Sequence, residues 1–213
     1  MNKIQLLKSL KQEGFSKDII DAFFRVKRED FLPENMKRRA YEDTALPIGD
    51  GQTISQPYTI ATMLSLLNLK KGQKVLETGS GCGYVLALIS EIVVTKWKFY
   101  GMEIVKSLTD KSKINLEDYN NVIVYNKNGS DGLKEKAPFD RIIISAALEE
   151  IPEKLIEQLK ENGIIVAPIG SPYEQTLTSF QKVNGMLEVR EEIPGFIFVP
   201  FVEGWGRTFF ILF

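Results

Sequence analysis

The sequence predicts a doubly wound, mostly parallel α/β fold. Three observations predict it. Short apolar runs of strand type alternate with helical patterns between residues 74 and 169, and such alternation with right-handed crossovers builds a parallel sheet. The first run, Val75-Leu76-Glu77, leads through Thr78 into Gly79-Ser80-Gly81-Cys82-Gly83, and a helical pattern opens at Tyr84. This is how such domains bring backbone close to a nucleotide-like ligand. Finally, 213 residues with 44% hydrophobic and 26% charged content suit one large globular α/β domain.

In chain order, residues 4–13 and 16–26 read as amphipathic helices, with Gly14 between them and Ser16 as the N-cap of the second. Residues 28–56 hold Pro33, Pro47, Gly49 and Gly51 and little clear period. They read as a long ordered loop with one short helix, a kind of loop that is usually functional. Residues 59–67 are helical. Strands follow at 74–77, 98–103, 122–126, 139–145 and 163–169, with helices at 84–92, 109–119 and 152–160. Beyond Gly170 the pattern changes to strands at 175–182, 187–193 and 208–213. Asn184-Gly185 separates the first two as a hairpin signal. No repeat or linker divides the chain. It is expected to be one domain: an N-terminal helical cap and substrate loop (1–58), a cofactor-binding core (59–170) and a β-rich part (171–213).

Composition excludes several chemistries. Lys+Arg 27 against Asp+Glu 28 gives a net charge of -1, which offers no electrostatic case for nucleic acid or an anionic membrane. There is no histidine, so a His-based triad, metal site or general base is ruled out, and one cysteine makes neither an internal disulfide nor a thiolate zinc site. No metal is expected. The cysteine usage, the lack of a signal-peptide pattern and the lack of a spanning apolar run point to the cytoplasm.

The glycine loop departs from the dinucleotide fingerprint G-x-G-x-x-G, because its third glycine comes one residue early. Glu77 stands two residues before the first glycine, where a carboxylate would repel a pyrophosphate and suit a positively charged cofactor. S-adenosylmethionine carries both an ammonium and a sulfonium. Glu103 closes the second strand, where an acidic residue accepts hydrogen bonds from ribose hydroxyls. Asn128-Gly129 follows the third strand and has two readings: an adenine-edge contact through the Asn amide, or a turn. Ser55 also has two. In Gln52-Thr53-Ile54-Ser55-Gln56-Pro57 it is a hydroxyl donor beside Thr53 and Gln56, or the cap of the following helix.

With these motifs in view, the chain resembles the protein-L-isoaspartate (D-aspartate) O-methyltransferases along nearly its whole length. Similar segments are Arg25-Val26-Lys27-Arg28-Glu29-Asp30-Phe31-Leu32-Pro33, Ala40-Tyr41-Glu42-Asp43, Leu46-Pro47-Ile48-Gly49 and the distinctive Gln52–Pro57 motif. So are the glycine loop, Ala137-Pro138-Phe139-Asp140, Pro168-Ile169-Gly170 and Phe198-Val199-Pro200-Phe201. The resemblance implies that Ser55 hydrogen-bonds an acceptor carboxylate, with Thr53, Ile54, Gln56, Val199 and Pro200 on the substrate side. It implies Glu77, Gly79, Ser80, Gly81, Gly83, Glu103, Asn128 and Gly129 on the cofactor side. Three departures stand out. The family usually has Asp-Gly where this chain has Asn128-Gly129, often has Arg where it has Ile104, and has a small residue where it has Cys82.

The expected activity is methyl transfer from S-adenosylmethionine to the free α-carboxylate of L-isoaspartyl residues in damaged proteins or peptides. S-adenosylhomocysteine is the product. The acceptor is ionised at neutral pH, so no general base is needed, in keeping with the absence of histidine. Two rivals are a related carboxylate methyltransferase acting on a dedicated peptide and a cofactor-binding protein without turnover. The sequence is silent on oligomeric state.

Overall fold

The computed structural model describes residues 1–93 and 98–202. The chain opens on α1 (Lys3–Gln12), started by a capping box in which the Asn2 and Gln5 side chains each accept the other's backbone N–H. In α2 (Lys17–Arg25), Ser16 is the N-cap as expected, accepting from the Ile19 N–H.

The expected loop over 28–56 carries more structure than its composition suggests. It contains two short 3-10 helices (Arg28–Phe31 and Glu34–Arg39) and an antiparallel hairpin of β1 (Leu46–Gly49) and β2 (Gln52–Ile54). Strands of four and three residues, one holding Pro47, are too short to show a period. The overlooked signal is Asp50-Gly51 at the tip, where both residues have positive φ (54° and 70°), the geometry of a two-residue hairpin turn. α3 (Pro57–Leu67) places Pro57 in its first turn and ends at Asn68 in the left-handed region.

A seven-stranded sheet follows: β3 (Val75–Thr78), β4 (Phe99–Glu103), β5 (Val122–Asn126), β6 (Phe139–Ile144), β7 (Leu159–Ser171), β8 (Glu174–Val183) and β9 (Met186–Phe196). Their spatial order is β5-β4-β3-β6-β7-β8-β9. The first five pair in parallel, and β8 and β9 join antiparallel through the Asn184-Gly185 turn. Helices α4 (Tyr84–Val93), α5 (Lys106–Asn115) and α6 (Glu153–Gln158) connect the parallel strands. α6 is shorter than expected because Leu159 already pairs with Phe139 in the sheet. α5 starts at Lys106 rather than 109 and ends at Asn115, beyond which Leu116 leaves helical geometry. The strand expected at 208–213 lies outside the described residues.

Alternating side chains divide the core between the two faces of the sheet. Val75, Ile143, Ile164 and Val166 pack with α2, α3 and α4, whereas Leu76, Ile142, Ile144, Ile165 and Ala167 pack with Leu133, Tyr100 and Leu155 of α6. The chain winds outward from β3 to β5 and then returns to β6 on the other side of β3. The strand order therefore reverses at β3, and a crevice opens at the carboxyl ends of β3 and β6, where open α/β sheets bind their ligands.

Candidate active site

Two hollows adjoin at that crevice. One is lined by Gly79, Gly81, Met102, Glu103 and Gly129 from the sheet's carboxyl edge, with Ile48, Gln52 and Thr53 of the β1–β2 hairpin over it. The other is lined by Ala45, Ser55, Gln56, Tyr58 and Thr59 on one side and by residues 193–199 on the other. Thr53, Ser145 and Val199 belong to both.

The glycine loop is shaped by its neighbours. Gly79 and Gly81 have φ of 74° and 50°, conformations that disfavour a side chain. The Gly79 and Ser80 N–H groups donate to the Met102 carbonyl, tying the loop to β4. Gly83 shares the positive φ, at 88°, and a Cβ there would also stand 2.6 Å from Leu116 Cδ1; it lines neither hollow. Ser80 also lines neither, being buried with its hydroxyl 3.0 Å from where a Gly101 Cβ would be. Cys82 is buried, and burial pushes its thiol up to about 12, which leaves it un-ionised and inert.

Two carboxylates sit under the loop. Glu103 accepts from the Gly81 N–H through Oε2 and from the Val105 N–H through Oε1, both at 2.8 Å, and lines the first hollow. Burial pushes its pKa up, while the N–H groups of Val105, Gly81 and Ile104 pull it back. Glu77 is 1% exposed and, like Ser80 and Gly83, lines neither hollow; it lies beneath the first, beside Ser145, which lines both. Its Oε1 accepts from the Ser145 hydroxyl at 2.7 Å, and its Oε2 has no partner among the described residues. Burial raises its pKa to about 8, opposed by the Ser145 bond and aided by the charge of Glu103. An orphaned carboxylate oxygen beside a glycine cradle fits a ligand bearing a cationic group.

Asn128 is occupied differently. Its Oδ1 accepts from the Ser130 N–H and caps the 3-10 turn Gly129–Asp131, with φ of -67°. Of the two readings, the turn accounts for its side-chain oxygen, and it does so without positive φ. Gly129 lines the first hollow, where a Cβ would stand 3.0 Å from Thr78 Cβ and 3.1 Å from Phe201 Cζ.

On the other side, Ser55 does not cap α3. Asp43 does so, accepting from the Tyr58 N–H at 2.8 Å and holding the Gln56 amide at 3.1 Å. The Ser55 side chain is thereby left to line the second hollow. Ile54 is buried and faces the core. Val199 and Pro200 lie on a segment pinned to the end of β6 by Ala147 N–H to Val199 O at 2.8 Å and Phe201 N–H to Ala147 O at 2.7 Å. Both line the first hollow. Sequence reasoning missed Ser145, because only the β3–β6 pairing brings it to Glu77. It also missed Asp43, whose capping role spans a loop.

A model of the protein-L-isoaspartate(D-aspartate) O-methyltransferase family matches residues 1–206. A protein-L-isoaspartate O-methyltransferase from Methanothrix thermoacetophila is 43% identical over 208 residues, 97% of each chain. Among solved structures, one protein-L-isoaspartate O-methyltransferase superposes with a TM-score of 0.86 at 31% identity, covering 95% of this chain and 66% of that one. Another, described as that enzyme from Plasmodium falciparum in complex with S-adenosyl-L-homocysteine, gives 0.81 at 28% identity over 96% of this chain and 100% of that one. The chain belongs to the protein-L-isoaspartate(D-aspartate) O-methyltransferase family.

Proposed function

We propose that this chain, acting as a single catalytic domain, methylates the free α-carboxylate of L-isoaspartyl residues in damaged proteins or peptides and so initiates their repair. The observation that carries the reading is the meeting of the two hollows at Thr53, Ser145 and Val199. One hollow is built for a nucleoside-like cofactor and the other for an acceptor beside Ser55.

S-adenosylmethionine supplies an electrophilic methyl group there and leaves as S-adenosylhomocysteine. Glu103 holds the ribose hydroxyls, Gly79, Gly81 and Gly129 allow close approach, and Glu77 pairs with the ammonium. The Ser55 hydroxyl donates to one oxygen of the acceptor carboxylate and orients the other. An α-carboxyl group has a pKa of about 3.5, so the acceptor arrives ionised and no side chain must remove a proton. The chain's contribution is position and exclusion of water. One hydroxyl suffices, since many strong donors would weaken the nucleophile. We place the activity in the cytoplasm. The single cysteine suits a reducing compartment, and among the described residues no helix is long and apolar enough to cross a membrane.

The test is transfer of label from S-adenosylmethionine to an isoaspartyl peptide and to its aspartyl twin. The reading expects a base-labile methyl ester on the first alone. Equal labelling of both, or of neither, overturns it.

A further inference from the structure

A guanidinium with no exposed surface stands behind the acceptor hollow. Arg28 is 0% exposed. Its Nη1 donates to the carbonyls of Ala40 (2.7 Å) and Glu42 (3.3 Å), and its Nη2 donates to those of Thr44 and Ser55 (both 3.0 Å). Its Nε has no partner among the described residues. No acceptor is a carboxylate. Burial lowers its pKa, but an arginine remains charged in any protein environment. The Asp43 carboxylate favours its charge through space without bonding to it, and burying an ion that no carboxylate bonds is costly, so packing alone does not explain this residue.

Where its donors go does explain it. The β1–β2 ladder ends at the pair Leu46↔Ile54. Ala45 and Ser55, the next residues on each strand, line the acceptor hollow with no ladder bond to hold them together. The Nη2 group bridges Thr44 O and Ser55 O across that gap. One step further on, Asp43 ties Gln56 and Tyr58 to the same segment. The two side chains continue the hairpin where its backbone pairing stops.

We propose that Arg28 is a positioning residue for methyl transfer: its planar fork holds the Ser55 backbone against residues 40–44 and thereby fixes the Ser55 hydroxyl that orients the acceptor. The proposal rests on the reading of Ser55 as the acceptor-side donor. Lysine cannot replace arginine here, because one ammonium cannot reach four carbonyls spread along two segments.

The experiment is a double-mutant cycle on the full chain with Arg28→Lys and Ser55→Ala, reading kcat and KM for an isoaspartyl peptide and the Kd of S-adenosylhomocysteine. With Ser55 present, Arg28→Lys should lower kcat/KM by about 10- to 100-fold, the scale of a misplacement near 1 Å. With Ser55→Ala, the same change should cost no more than about twofold, because the hydroxyl it positions is gone. Affinity for S-adenosylhomocysteine should hold within about twofold in every variant, since no Arg28 bond reaches the cofactor hollow. Equal losses in both backgrounds, or a parallel loss of cofactor affinity, would mean a merely structural role and overturn the proposal. If the lysine variant does not fold, Arg28→Gln enters the same cycle, and failure of both to fold also overturns it. Wild-type protein that leaves the isoaspartyl peptide unmethylated fails the functional reading itself, independently of Arg28.

Discussion

Replacing Glu77 by glutamine should stabilise the cofactor-free protein at alkaline pH and weaken its hold on cofactor. Glu77 is buried, with one oxygen on the Ser145 hydroxyl and the other without a partner among the described residues. Burial raises its pKa from 4.5 to about 8. The folded protein therefore keeps this proton in a range where the unfolded chain has lost it. Below about pH 4.5 both states are protonated and the contribution is fully present. Stability then falls as pH rises, and the loss is complete above about pH 8. Between pH 4.5 and about 8, at about 1.4 kcal/mol per pH unit, the loss comes to about 5 kcal/mol as an upper bound. Glu77→Gln cannot ionise and escapes that loss. For a chain of this size, 1 kcal/mol moves Tm by about 2–4 °C, so at pH 9 the variant should melt about 5–15 °C above wild type. At pH 5 the two should nearly coincide. The assay is thermal unfolding across this pH range without cofactor, paired with titration of S-adenosylhomocysteine, whose ammonium loses its charged partner. Losing a charge-assisted hydrogen bond of about 1.5–3 kcal/mol predicts roughly 10- to 150-fold weaker binding. A melting gap that does not change with pH would refute the burial argument. Unchanged affinity would refute the pairing with the ammonium.

Other outcomes follow from the same geometry. Ser55→Ala should lower kcat for an isoaspartyl peptide while leaving S-adenosylhomocysteine affinity intact, because Ser55 lines the acceptor hollow only. Calorimetric titration beside steady-state kinetics checks both halves. Glu103→Ala should weaken S-adenosylhomocysteine binding by about 1.5–3 kcal/mol and change turnover at saturating cofactor little. Hydrogen exchange should also quicken at the Gly81 and Val105 amides, which lose their acceptor. Asn128→Asp should keep the bond to the Ser130 N–H, whereas Asn128→Leu should lose it at a cost of about 0.5–2 kcal/mol in stability. The two should bind S-adenosylhomocysteine alike, and a selective loss of affinity in the leucine variant would favour the adenine contact over the turn.

Much of the framework was legible because it is written in local patterns. Side-chain period and the glycine run located most of the sheet strands and their helices. Glu77 and Glu103 could be singled out because a carboxylate at the end of a strand lies where such sheets bind ligands. Asn184-Gly185 announced its hairpin by the φ its residues tolerate, whereas Asp50-Gly51 was missed because its strands are too short to flank it with a pattern. What the tertiary structure alone decided is which distant groups meet and which are shut away from water. Ser145 reaches Glu77 across 68 positions, and Arg28 reaches Ser55 across 27. In sequence, Arg28 sits in the charged run Lys27-Arg28-Glu29-Asp30, and no local pattern marks it as buried. Likewise, whether Ser55 caps a helix or lines the second hollow depended on Asp43 taking the cap first. Both outcomes share one physical cause. A side chain's period and turn preference belong to its neighbours along the chain, but the free energy of burying its polar atoms depends on partners that only the closed fold supplies.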